Sequence, residues 1–165
     1  MSAWKQTLLA SGLLIATCSG AAEPGYIDAQ LAITKPEQSG SGLVVAVAGG
    51  IPVPERRSIF LEGEISTTIV SPKRQGAKLS YTQVGGWGVY RQLIDKRFAL
   101  HGKAGILYQY SKLEQEKANR GAAIGFAIGA TIHSSRSLSY LVEATSVLGQ
   151  LDLTRISAGI RYHIR

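Results

Sequence analysis

Polar and apolar residues alternate along this chain from about Gly25 to its last residue, in eight segments divided by turn-forming residues. The segment 152–164 has the clearest period. Thr154, Ile156, Ala158, Ile160, Tyr162 and Ile164 form one set; Arg155, Ser157, Gly159, Arg161 and His163 form the other. Successive side chains of a β-strand point to opposite faces, so this spacing gives one apolar and one polar face. The same period predicts strands over 26–33, 42–50, 58–70, 98–111, 121–132 and 138–148. The segment 78–93 is longer and less regular. There Leu79, Tyr81, Gly85, Trp87 and Val89 are placed outward and Ser80, Thr82, Gly86 and Gly88 inward, with Gln83 as an exception on the outward face.

Connections this short suit antiparallel neighbours, because parallel pairs need long crossovers. The pattern predicts an all-β fold, an eight-stranded antiparallel up-and-down transmembrane β-barrel. An even number of strands closes on itself and leaves no unpaired edge in lipid. Ala46, Ala48, Gly86, Gly88, Gly125, Gly129 and Gly159 are the small residues that a narrow lumen would need. A soluble barrel alternates in the same way with its faces reversed, and parity alone does not separate the two. Three features favour lipid. The apolar set is nearly free of charge, the polar set is rich in Ser, Thr, Gly and Ala, and aromatics lie toward strand ends. Those aromatics (Tyr26, Trp87, Phe98, Tyr108, Tyr110, Tyr140 and Tyr162) are the expected interfacial girdle.

At 165 residues the chain suits one domain. Residues 1–22 carry Lys5, a short apolar run and then Ser19, Gly20, Ala21 and Ala22, the layout of a cleavable signal peptide. Residues 23–165 are then the barrel domain. Cys18, the one cysteine, falls within the leader. A lipoprotein acylation site there is disfavoured by Thr17, and the mature chain offers neither a disulfide nor a thiol nucleophile. The formal charge of +7 is dispersed, without the aromatic and basic platform of a nucleic-acid binder. For an exported chain, anionic lipid or lipopolysaccharide is the natural counter-charge.

The polar faces bring Glu62, Glu64, His101, Lys103, Glu143, Arg155 and Arg161 into one lumen. Buried charges must pair, so Glu62 or Glu64 is expected against Arg155 or Arg161, and Lys103 against Glu143. Such pairs plug the lumen, or gate a narrow channel by exchanging partners. His133, Ser135 and Glu143 are a weak candidate set for a hydrolase acting on lipid A. His101 and His163 lack metal-ligand spacing, no phosphate-cradling glycine motif precedes a helix, and no cofactor is expected.

With these features the chain resembles the OmpA-like and opacity-type family of small outer-membrane β-barrels, over nearly all of 25–165. The likeness is architectural. Glu62 or Glu64, Lys103, Glu143 and Arg155 fall on strands where such barrels place lumen salt bridges. Ser157, Gly159, Tyr162 and Ile164 look like the family's signal for the outer-membrane insertion machinery, with Arg165 where the family ends on an aromatic. The resemblance implies both termini in the periplasm, with 34–41, 71–76, 112–120 and 149–150 outside. It implies a monomeric, non-enzymatic protein of the Gram-negative outer membrane with a structural or surface-contact role. A lipid A-modifying enzyme and a narrow channel are the alternatives.

Overall fold

A computed structural model of the chain describes residues 25–164 apart from 75, 115 and 116. The leader over 1–22, Cys18 and Arg165 lie outside the described residues. The strands are β1 (Tyr26–Pro36), β2 (Gly42–Val53), β3 (Arg56–Val70), β4 (Lys73–Arg74), β5 (Ala77–Leu93), β6 (Phe98–Leu113), β7 (Asn119–His133), β8 (Leu138–Leu148) and β9 (Leu153–His163). Strand β4 only extends the turn before β5. The other eight form a closed antiparallel barrel in which each strand pairs with its chain neighbours. The ring shuts where β1 pairs β9, from Tyr26 opposite His163 to Pro36 opposite Leu153. No helix among the described residues is long and apolar enough to cross a membrane.

The period-two pattern of the sequence sets the faces. Ile128 is 71% exposed, Ile106 70% and Ile156 62%, whereas Arg155 is 2% and Arg161 0%. Apolar side chains therefore face outward around the wall, and the charges face the centre, the reverse of a soluble barrel. Of two register shifts between β2 and β3, the one at Leu43 and Val44 leaves Ile69 and Val70 both exposed.

Strand β5 corrects the reading of 78–93. Leu79, Tyr81, Trp87 and Val89 point into the lumen, and Ser80, Gly86 and Gly88 point out. Gln83 is buried in step with the inward set. The strand has no break in parity; its inward face is apolar because the lumen needs bulk at these positions. Trp87 and Tyr26 accordingly leave the expected girdle for the interior, while Tyr108, Tyr140 and Tyr162 stay outside. Gly86 and Gly88 likewise leave the set of lumen-lining small residues. The charged connection expected over 112–120 shrinks to 114–118, because both flanking strands continue into it.

At the barrel end carrying 149–152, Leu79, Leu107, Val147, Leu151 and Leu153 pack as an apolar cap. Gln109 fixes that cap. Its Nε2 donates to Leu151 O at 2.9 Å, and its Oε1 accepts from Leu151 N at 3.2 Å. Tyr81 adds a hydrogen bond to Thr34 at 2.6 Å.

Candidate functional site: the charged lumen

Below the cap lies a network built from five of the eight barrel strands. Lys103 on β6 reaches Glu62 on β3 and Glu143 on β8, each at 2.7 Å. Arg155 on β9 donates to Glu64 on β3 at 2.7 Å, and its other terminal nitrogen lies 3.9 Å from Glu143. His101 Nε2 is 3.1 Å from Glu143 Oε2. Arg161 forms a two-pronged pair with Asp28 on β1, Nε to Oδ1 and Nη2 to Oδ2, both at 2.7 Å. These side chains are almost wholly shielded. In such surroundings an ionised group is tolerable only with an opposite charge and hydrogen bonds, and the two-pronged guanidinium–carboxylate geometry supplies both.

Aromatic rings hold the network at its other end. Tyr26 donates to Glu62 at 2.6 Å, its ring lies under the Arg161 guanidinium at 3.7 Å, and Phe60 packs tilted against it at 5.6 Å. Arg91 covers Phe60 at 4.5 Å. Four carboxylates (Asp28, Glu62, Glu64 and Glu143) thus face three cations (Lys103, Arg155 and Arg161), with the His101 ring set against Glu143.

The structure brings Glu62, Glu64, Lys103, Glu143, Arg155 and Arg161 together in one lumen. His101 joins them as the polar face of its strand predicts, whereas the sequence reading missed Asp28 and Tyr26 as members. Asp28 stood on the polar parity of its strand, but only the β1–β9 register, which sets it opposite Arg161, reveals the partner. The C-terminal residues Ser157, Gly159, Tyr162 and Ile164 divide between faces. Ser157 donates to Gln30 inside at 2.6 Å, Gly159 lies against β1, Tyr162 is exposed, and Ile164 N bonds Gly25 O at 2.8 Å.

His133, Ser135 and Glu143 do not assemble. Ser135 Oγ accepts from the Ser137 and Leu138 amides in its own turn. His133 Nδ1 instead lies 2.8 Å from Ser139, whose hydroxyl is 3.0 Å from His163 Nε2. Glu143 is taken up by Lys103 and His101. No group of three or more metal-ligating side chains occurs among the described residues.

An apolar outer wall around a charge-filled, capped lumen defines the class: a closed eight-stranded barrel of the outer-membrane type. No family model matches the sequence, and no curated protein does. Solved structures do match. Neisserial surface protein A aligns with a TM-score of 0.71 at 12% identity, over 87% of this chain and 99% of that one. Ail, the attachment invasion locus protein of Yersinia pestis, gives 0.59 at 12% identity, over 86% and 97%. The outer membrane enzyme PagL gives 0.51 at 13% identity, over 82% and 98%. At such identities the likeness concerns the fold.

Proposed function

We propose that this chain is an OmpA-like integral protein of the Gram-negative outer membrane with a structural or surface-contact role and no catalysis. It is exported on a cleavable signal peptide, delivered to the outer-membrane insertion machinery, and seated as a monomer among outer-membrane lipid and lipopolysaccharide. Both termini face the periplasm. One observation carries the reading: the lumen is occupied by paired charges from Asp28 to Arg161 and capped by Leu151 and its neighbours, which leaves the outer surfaces for contact. A hydrolase built on His133, Ser135 and Glu143 is disfavoured by the separate partners of those residues. A narrow channel would require Lys103 and Arg155 to exchange carboxylates.

Fractionation of the expressing bacterium tests the placement: outer-membrane recovery with heat-modifiable gel migration is expected. Periplasmic recovery, or identical migration with and without boiling, contradicts it. Purified protein should neither release acyl chains from lipopolysaccharide nor conduct steadily in planar bilayers. Acyl release lost in H133A or S135A would establish the enzyme instead.

A further inference from the structure

The glycines of this barrel fall into two groups. Inside, each one is needed. A Cβ at Gly125 would strike the Trp87 ring, one at Gly129 the His101 ring, and one at Gly159 the Ala29 carbonyl. Outside, Gly63, Gly86, Gly88 and Gly102 meet no such demand. A Cβ would find nothing within 4 Å at Gly63, and no atom closer than 3.8 Å at the other three. None of these four has a positive φ. Glycine in a strand interior weakens it, so neither packing nor backbone conformation explains these four positions. Two of them border one recess. Gly88 and Gly102, with Ala104, floor an apolar hollow of about 470 Å³, walled by Ile59, Tyr90, Phe126 and Ile128.

Charge at the end of the same strands says what fits there. The turn joining β5 to β6 exposes Lys96 and Arg97, and Arg56 is exposed at the start of neighbouring β3. Asp95 in that turn is engaged by the Arg97 and Phe98 amides, at 2.6 and 2.8 Å. Residues 55, 56 and 95–97 together hold three basic and two acidic side chains. A second copy docked here by two-fold symmetry would set this basic rim against itself. A lipid phosphate would be attracted to it. We propose that the recess seats an acyl chain of one anionic phospholipid, with its headgroup at Lys96 and Arg97. In the orientation given above this is a lipid of the periplasmic leaflet.

The inference rests on the membrane-spanning reading, which flotation of the reconstituted vesicles tests separately. The full-length barrel is placed in vesicles of phosphatidylcholine and phosphatidylglycerol in equal parts. It is then extracted in mild detergent and weighed by native mass spectrometry. One retained phosphatidylglycerol per barrel is expected, in preference to phosphatidylcholine. G88L and G102L should fill the recess and lose that adduct while keeping heat-modifiable migration. K96Q/R97Q, which leaves the wall untouched, should lose the preference between the two lipids and serves if a glycine variant fails to fold. Equal retention of both lipids by the unaltered chain overturns the proposal, as does an adduct indifferent to all three variants. So does a cross-linkable dimer that G88L abolishes, which would make a second copy the occupant.

Discussion

Arg155 donates to Glu64 at 2.7 Å although 91 positions separate them in the chain. The contact crosses the lumen from β9 to β3, so it ties opposite walls of the barrel together. Removing one member strands the other. R155A should destabilise the barrel by about 3–5 kcal/mol, the usual cost of breaking a buried pair. The double variant E64Q/R155M should recover much of that loss, because it removes both charges. Urea unfolding in lipid vesicles, followed by gel migration, measures each.

Lys103 is the bridge on the other side, with Glu62 and Glu143 each 2.7 Å away. In K103A these carboxylates lose their shared cation, while Tyr26 still donates to Glu62 and His101 still faces Glu143. The lumen should loosen there. Planar bilayers should register brief conductance steps in K103A that the unaltered barrel lacks, and K103M/E143Q should suppress them. Silence in K103A would show that the apolar cap alone closes the passage.

Gly159 tests the seam. Its absent side chain lets β9 lie against Ala29 and Gln30 of β1. G159V would drive a branched side chain into the Ala29 carbonyl, and neither backbone can retreat without breaking the ladder. We expect loss of the compact, heat-modifiable band and degradation of the exported chain. G63V, at a position open to the outside, should fold normally and provides the contrast.

Trp87 offers a direct reading of which way β5 faces. It is 2% exposed and lies over Gly125, so bromine-labelled acyl chains should quench its emission weakly. Moving the indole outward in W87F/Y90W should produce strong quenching. Trp87 is the sole tryptophan of residues 25–164, so the signal is unambiguous. Equal quenching in the two proteins would restore the outward assignment.

That strand also marks the limit of what alternation can reveal. In β9, Arg155 and Arg161 identify the inner face without ambiguity, and in β3 Glu62 and Glu64 do the same. Between Leu79 and Tyr90 no side chain carries a charge, so greasiness was the only guide. It misled because the lumen is not uniformly polar; Leu79 and Tyr81 fill its capped end. Gln83 was the true marker of the inner face, and treating it as an exception inverted the segment. The lumen members on β3, β6, β8 and β9 could be collected from parity. Asp28 opposite Arg161 could not be paired, since that match depends on the first strand meeting the last. The Gln109 clamp on Leu151 was equally invisible, because it joins a strand to a turn 42 residues away.

The meeting of β1 with β9 has a consequence for how the molecule is made. The strand synthesised first waits, hydrogen-bonding groups unpaired along one side, until the strand synthesised last arrives. Contacts this distant in sequence form slowly, because the loop entropy comes due before any reward. Until then the chain is an open, sticky ribbon. Anything that shields those edges before the ring closes guards the chain against pairing with its neighbours.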